Sequence, residues 1–541
     1  MTGFILFINF VLWSIVNVIS LSSSSSSFPF STTTTFSNTL GINIHNLKLN
    51  NSVVSLIKNS FGFVRTDLTW EKVERVKGIY NFTEYDLFIE HLAPVKLYFT
   101  IDYSNKLYLP KGKAPYTEET IKYFAKFVLN SINHFKNRGF IFEIYNEPNW
   151  VFWKPYNPWR NGTAYINLVK GIINELTSVN DGNKLIITQE DLLDETIIGP
   201  ALAAPPLGGL GIDDKFLNDL LNNESILCFF DYISLHLYTQ YEPESRIDIY
   251  RQVTDSIKEN WRNDNMCATL KKHNNNNNNN NEKKEIPKLI SGEWGWSTCK
   301  TSKNKPIPCL YKGILEAVTG ANTDIDQAKF ISRMYLMNTM SQVDFSVYYD
   351  LIDDGEHYGI INVMDDDDGG GGIQPKLAYK AVNTLYNILG NSTYKERLSS
   401  KIINDNHNNV CNAFSKIKKD CGYYGITENE CEKKKGCCFD EPYIVGPQCY
   451  YSNGGNETIF VLKFVTQNKN QILAAWRNGT GKNKIEEEFV LVEVEYLMEG
   501  NSSSCYQVYD YLGKKITQVC NEKESNLLYL NISDRPRFFV V

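Results

Sequence analysis

The sequence predicts a (β/α)8 barrel over residues 40–390, an antiparallel β-sandwich behind it, and a small disulfide-rich insert at the start of that sandwich. Three observations carry the prediction. Eight short apolar runs alternate with helical patterns up to about residue 390, and eight β/α repeats are the number that closes a barrel. Beyond residue 390 the texture changes to short β-rich runs broken by turn dipeptides, the pattern of a sandwich. Six cysteines, Cys411, Cys421, Cys431, Cys437, Cys438 and Cys449, crowd into the start of this second region. A block of roughly 40 residues buries too little surface to fold without staples.

The eight runs, in order, are LGINIH from Leu40, FGFVRTDL from Phe61, VKLYFTID from Val95, IFEIYNEP from Ile141, KLIITQED from Lys184, YISLHLYT from Tyr232, KLISGEWG from Lys288 and FSVYYDLI from Phe345. Amphipathic stretches such as those from Glu119 and Ala328 separate them, and Leu377–Leu389 reads as the eighth helix. A doubly wound open sheet is the alternative, but its usual Gly-rich phosphate turn is missing. Polyasparagine Asn274–Asn281 falls between the sixth helix and seventh strand, on the face away from a barrel's active site. Asp365–Asp368 with Gly369–Gly372 follows the eighth strand on the catalytic face. It reads as a calcium loop or charged gate, or more plainly as a solvated insert, since like charges in a row repel. TIFVLKFV, QILAAW, FVLVEVEYL, CYQVYDY and LLYLNIS are the sandwich strands.

Composition sets the compartment. The chain has 541 residues, is 42% hydrophobic and 13% aromatic, and carries a formal charge of −7. Nucleic acid and anionic membranes held by bulk electrostatics are therefore poor partners. The apolar run Phe4–Ile19 has the length of a signal-peptide core and is short for a membrane span, although its n-region lacks Lys and Arg and a membrane anchor is the alternative. Ser22–Thr35 is Ser/Thr-rich and expected to bury nothing. No second apolar segment approaches twenty residues, so no integral membrane segment is expected after signal cleavage. Nine Asn-x-Ser/Thr sequons and twelve cysteines fit secretion through an oxidising lumen, to the extracellular space or a lysosome. A zinc site competes for the dense cysteine group, but that group contains no His. Cys299 with Cys309 and Cys505 with Cys520 form further expected pairs, and Cys228 and Cys267 remain. The expected boundaries are 1–21 signal peptide, 22–39 spacer, 40–390 barrel, 391–410 with 451–541 sandwich, and 411–450 insert.

Glu147 and Glu293 are the candidate catalytic pair. Each lies at or just past the C-terminal end of an apolar strand run, the fourth and the seventh, where barrel side chains converge on a ligand. A buried carboxylate costs free energy without a partner or a task. Glycoside cleavage needs such a pair, one acid to protonate the leaving oxygen and one carboxylate to attack or stabilise the oxocarbenium centre. A structural Glu salt-bridged to a neighbouring strand is the alternative for either residue.

The surroundings sharpen the reading. FEIYNEPNW (142–150) resembles the acid/base strand of clan A glycoside hydrolases, and LISGEWGW (289–296) resembles their nucleophile strand. FVRTDLTWEKVERVKGIYNF (63–82), IDYSNKLY (101–108), NEPNWVFWKPYNP (146–158), ISLHLYT (233–239) and YYDLIDDGEHYG (348–359) resemble family 39 and related family 5 enzymes. The resemblance implies Glu147 as general acid/base and Glu293 as nucleophile. It further implies Asn146 on the sugar 2-hydroxyl, Arg65 keeping Glu293 charged, Tyr238 orienting it, and His236 on the same floor. A barrel-bottom ion pair is the alternative for Arg65, and a satisfied core histidine for His236. Such enzymes retain anomeric configuration, with carboxyl groups about 5–5.5 Å apart. Many clan members place a Trp after the eighth strand; here Tyr348-Tyr349 stands there, leaving the first sugar subsite open. Tyr348, Trp153 and Trp294 are candidate stacking residues, with Trp150 and Trp296 beside them, though some of these rings have the core as their alternative place.

The block from Cys411 resembles a P-type trefoil domain, through its Cys-Gly, Gly-Ile-Thr, Cys-Cys-Phe and Cys-Tyr elements. That resemblance implies the pairs Cys411–Cys438, Cys421–Cys437 and Cys431–Cys449. Gln448 stands where many trefoils have Trp, so a rigid spacer is the plainer role than sugar binding. Together these readings give a secreted retaining glycoside hydrolase, with no metal or other cofactor, acting on an oligosaccharide, polysaccharide or glycoconjugate, its bond β-linked by the clan's habit. The alternative is a catalytically inactive carbohydrate-binding or adhesive glycoprotein on the same scaffold.

Overall fold

The structure is a computed structural model. It describes residues 34–110, 112–150, 152–153, 162–177, 192, 195–203, 214–222, 224–239, 242–260, 286–298, 322–353, 357–363, 372–402, 437–439, 449–451, 459–478, 490–495, 505–520 and 527–541. The expected signal peptide, the KLIITQED run, the polyasparagine run, the Asp365–Asp368 insert, and Cys267, Cys299, Cys309, Cys411, Cys421 and Cys431 lie outside those residues.

Eight parallel strands close a barrel in chain order: β1 (Leu40–Asn43), β2 (Phe63–Thr69), β3 (Lys96–Asp102), β4 (Ile141–Ile144), β5 (Thr196–Ala203), β6 (Tyr232–His236), β7 (Lys288–Trp294) and β8 (Ser346–Tyr348). Helices in the described residues are α1 (Asn51–Lys58), α2 (Trp70–Val73), α3 (Thr83–Leu92), α4 (Glu118–Phe135), α5 (Thr163–Thr177), α6 (Asp214–Leu221), α7 (Glu224–Leu227), α8 (Ile247–Asn260), α9 (Asp324–Met340) and α10 (Leu377–Leu389). Side-chain caps start several of them. Asn50 Oδ1 accepts the Val53 N–H at 2.9 Å to open α1, and capping boxes of Thr117 with Thr120 and Thr323 with Asp326 open α4 and α9.

Strand alternation sorts the barrel residues. Val64, Leu68, Leu97, Phe99, Ile101, Phe142, Ile144, Ile233 and Leu235 join the core shared with the helices. Phe63, Tyr98, Ile141, Ile198, Ile290 and Val347 fill the barrel interior as a separate layer. One step further along each strand, that interior series continues with polar groups, and there the site is built.

Two expectations are corrected. The fifth strand is Thr196–Ala203, paired with Ile141–Glu143 on one side and Tyr232–His236 on the other, not the run from Lys184. Its Gly199-Pro200 dipeptide reads as a turn in sequence. In the barrel it falls inside the register shift between Ile198 and Ala201, where a sheet tolerates Pro. Phe36–Thr39, counted with the spacer, form a short 3-10 turn. Phe36 is buried there, its ring 5.6 Å from that of Phe464.

Helix α9 is buried along Asp326–Thr339 on every side, rather than presenting the polar face that an amphipathic surface helix keeps in water. The second domain covers it. Beyond α10, and after the small hairpin of β9 (Ile361–Val363) and β10 (Ile373–Pro375), lie β11 (Ser392–Arg397), β12 (Ser400–Ile402), β13 (Cys437–Phe439), β14 (Cys449–Tyr451), β15 (Ile459–Thr466), β16 (Gln471–Arg477), β17 (Val490–Glu495), β18 (Cys505–Tyr509), β19 (Lys515–Cys520), β20 (Leu527–Ile532) and β21 (Arg537–Val540). The large sheet runs β11-β15-β16-β21-β18-β19 and the small one β12-β17-β20; β13 and β14 pair as a separate hairpin within the cysteine-rich block. Along β15 and β16, Phe460, Leu462, Phe464, Ile472, Ala474 and Trp476 face the barrel core, while Ile459, Val461, Leu473 and Ala475 face the small sheet. Cys505 and Cys520 form the expected disulfide across β18–β19. Cys228 is also disulfide-bonded.

Candidate active site

Arg65 on β2 organises the floor of the barrel mouth. Its side chain is buried, and its donors fan out to four neighbours. Nε and Nη2 reach Glu143 Oε2 at 3.2 and 2.8 Å, Nη2 reaches Asn146 Oδ1 at 2.9 Å, and Nη1 reaches Asn43 Oδ1 at 3.1 Å and Glu293 Oε2 at 3.0 Å. Arg65 thus combines a buried ion pair with Glu143 and a contact to Glu293. Tyr98 OH and Thr100 Oγ1 donate to Glu143 at 2.5 and 2.9 Å. Burial opposes ionisation of Glu143, yet the charges of Arg65 and His236 and the Tyr98 bond outweigh it and hold the carboxyl below its usual range.

Glu293 reaches the interior through a register break. Between β6 and β7, Leu235 pairs with Ser291 but His236 pairs with Glu293, leaving Gly292 as the extra residue. A bulge of this kind re-aims the next side chain. A Cβ on Gly292 would lie 1.8 Å from Ser234 Oγ and 3.3 Å from His236 Nε2, so the approach demands glycine. The Glu293 Oε1 atom accepts from Tyr238 OH at 2.5 Å. Burial and the adjacent Glu293 charge push the Tyr238 phenol well up, which keeps it a donor.

Glu147 stands three residues past β4 with φ of 42°, a left-handed conformation rare outside glycine. Its Oε1 lies 2.8 Å from His236 Nδ1. Burial pushes the Glu147 carboxyl up, and the Glu293 charge adds to this against the opposing His236 bond. Burial works against an imidazolium at His236, but Glu293 and Glu147 prevail and raise it. The two groups compete for a proton across one short contact.

Glu147, His236 and Glu293 each offer one ligand atom, all within 4.8 Å of one another. The Arg65 guanidinium already lies 3.0 Å from Glu293 Oε2, and a divalent ion on the same carboxylate meets its repulsion.

The structure brings Arg65, Asn146, Glu147, His236, Tyr238 and Glu293 together. Three expected substrate-stacking residues lie elsewhere. Trp294 is fully buried, its Nε1 on Ser346 Oγ at 3.1 Å and its ring against Trp296, Tyr335 and Tyr348. The Tyr348 hydroxyl donates to the carbonyls of Trp296 and Tyr358, inside the same core. Trp153 is buried against Tyr145 and Tyr165. Alternation explains the first two: Val347 points inward, so Tyr348 points out, and the step past Glu293 turns Trp294 out. Tyr349, next in the interior series, lies beside Tyr238 and Tyr358 instead. Phe152 is 40% exposed with its ring 6.1 Å from that of Tyr103.

Sequence reasoning missed further polar groups. Asn43 and Glu143 are interior by the period of two within β1 and β4, a signal present in the sequence. His45 places Nδ1 3.4 Å from Asp67 and Nε2 3.1 Å from Tyr349 OH. Partial burial opposes its charge, but the Asp67 bond and the charges of Asp67, Asp350 and Glu293 push it up to about 9. Asp102 is buried with neither carboxyl oxygen hydrogen-bonded, and burial with the Asp67 charge pushes it well up.

Comparisons with known proteins find likeness at two levels, the sequence of one small domain and the fold. The Trefoil (P-type) domain model matches residues 411–452. The "Putative gastrointestinal growth factor xP1" of Xenopus laevis is 44% identical over 41 residues, 8% of this chain and 51% of that protein. The chain thus spans about half the length of the curated relative it matches. Among solved structures, a family 39 glycoside hydrolase from the gut symbiont Bacteroides cellulosilyticus WH2 superposes with a TM-score of 0.57 at 19% identity, covering 93% of this chain and 81% of that one. The GH51 arabinofuranosidase from Xanthomonas axonopodis pv. citri gives 0.47 at 9% identity, over 94% and 97%. At 19% identity the likeness to the family 39 enzyme is one of fold. The chain therefore shares the fold of that family 39 glycoside hydrolase and carries a trefoil (P-type) domain at residues 411–452.

Proposed function

We propose that the protein is a retaining glycoside hydrolase that cleaves O-glycosidic bonds by double displacement. One observation carries the reading: two carboxylates approach within 4.8 Å in opposite environments. Glu293 accepts from a fixed guanidinium and a phenol, which hold its carboxylate in one orientation for attack. Burial pushes Glu147 up, so it enters the cycle as an acid. Carboxylate oxygens this close fit the pair of a retaining enzyme, about 5–5.5 Å apart, better than the roughly 6.5–9.5 Å of an inverting one.

In the first step Glu147 gives its proton to the leaving oxygen while Glu293 bonds to the anomeric carbon. In the second, Glu147 takes a proton from water as that water displaces Glu293. Asn146, its carbonyl pinned by Arg65, keeps its amide free of that bond to donate to a sugar hydroxyl beside the reacting carbon. The secreted, disulfide-bonded setting read from the sequence belongs to the same proposal, and a sugar chain or glycoconjugate is the substrate.

Sugar release from a panel of aryl glycosides and polysaccharides tests it, with Glu293→Gln and Glu147→Gln beside wild type. Turnover is expected to vanish in the first and to fall by roughly 10²–10⁴-fold in the second. Wild type and variants equally inert, yet equally able to bind a glycan, would establish the binding-protein alternative instead.

A further inference from the structure

The nucleophile's partner Tyr238 belongs to a segment that the sandwich grips. Past β6 the chain passes through Tyr238 to Glu242 and the 3-10 turn Pro243–Arg246. Arg246, buried, donates from Nη2 to the Tyr238 carbonyl, while the Tyr238 hydroxyl donates to Glu293. The same turn is held from the other side. Arg333 of α9, fully buried, donates to both Glu242 and Glu244, its Nε reaching Glu244 Oε1 at 2.8 Å. Trp476 of β16 donates from Nε1 to that same Glu244 oxygen at 2.8 Å. Asp534, in the turn before β21, fixes α9 in turn: Oδ2 lies 2.7 Å from the buried Lys329 Nζ, and its carbonyl lies 3.5 Å from Arg333 Nη1.

Charges this deeply buried hold one arrangement, because any displacement leaves a charge unpaired. The turn 242–246 is therefore rigid to the extent that the sandwich is seated. A nucleophile's orientation is sensitive to small shifts, about 1 Å costing on the order of 100-fold.

We infer that Trp476, Glu244 and Arg246 are positioning residues that make the C-terminal sandwich part of the active site, seating Tyr238 against Glu293. Trp476 lies in the second domain and acts through Glu244, the turn and Arg246. The inference rests on the glycosidase reading for its rate measurement, and a second readout is independent of turnover.

The test compares wild type, Trp476→Phe, Tyr238→Phe and the double variant. Trp476→Phe removes one neutral donor and keeps an aromatic ring in its packing site. It is expected to lower kcat roughly 10-fold or more with KM changed less than about twofold. It is also expected to add little in the Tyr238→Phe background, since both act on one contact. Hydrogen exchange should rise in residues 236–239 and 242–246 and stay unchanged in β2 and β3. If Trp476→Phe fails to fold, Glu244→Gln takes its place, and Arg246→Lys, which keeps a donor, should recover part of the kcat lost in Arg246→Ala. Full additivity of the double variant, equal losses in kcat and KM, or unchanged exchange in 236–246 would each overturn the inference. Wild type inert on every glycoside would sink the glycosidase reading, and the exchange pattern would still decide whether the sandwich holds the turn.

Discussion

The proton between Glu147 and His236 is where the chemistry is set. The His236 bond favours the ionised form of Glu147, working against burial. Removing it, as in His236→Asn, leaves burial and the Glu293 charge opposed by the smaller effect of the Arg65 charge, so Glu147 moves further up. In the proposed mechanism the active form of Glu147 in the first step is protonated, and activity is lost as pH rises through its pKa. The basic limb of kcat/KM is therefore expected to move to higher pH in His236→Asn, and a limb that moved down would contradict the assignment. At this scale position near a strand end led to Glu147 and Glu293, and the resemblance to clan A enzymes implied Arg65, Asn146, His236 and Tyr238. The aromatic positions did not follow, because a ring one step out of phase enters the core instead of the cleft: Tyr349 against Tyr348 is that one step. Glu143 escaped notice because its neighbours Glu147 and Asn146 dominate the motif, although its place two residues past the interior Ile141 marks it as inward.

At the level of the strand, the bulge at Gly292 decides which way β7 presents its carboxylate. Without the extra residue, the side chain after Gly292 would alternate outward, where Trp294 now packs. Gly292→Ala drives a methyl into Ser234 Oγ, so the bulge must shift and carry Glu293 with it. Loss of kcat by about 100-fold is expected, larger than any accompanying change in thermal midpoint would produce while the protein remains folded. Retained activity would place the carboxylate's aim elsewhere. Element order was legible from periodicity for seven of the eight expected barrel runs, and the fifth was not. Thr196–Ala203 carries a Gly-Pro pair that local rules assign to a turn, and only pairing with strands on both sides overrides it. A register shift leaves no unambiguous mark in sequence, since a lone glycine has many reasons to occur.

Across the whole molecule, barrel and sandwich share one core. Phe464 and Trp476 pack with barrel residues, and the ion pairs of Arg333 and Lys329 cross from α9 to the turns on either side. Glu244→Ala leaves Arg333 with half of its carboxylate partners and should cost roughly 3–5 kcal/mol. The loss is expected in both domains, read as faster exchange in β2 of the barrel and β15 of the sandwich alike; loosening confined to one would show that the domains are energetically separate. The sequence announced two domains but not their fusion, because the charged residues of α9 look like a solvent face until a second domain covers them. The anomeric configuration of the first-formed product tests the pair of glutamates most directly. Proton NMR of a substrate turned over in the spectrometer is expected to show the substrate's own configuration before mutarotation. An inverted first product would contradict a covalent glycosyl–Glu293 intermediate, and the account built on it would fail.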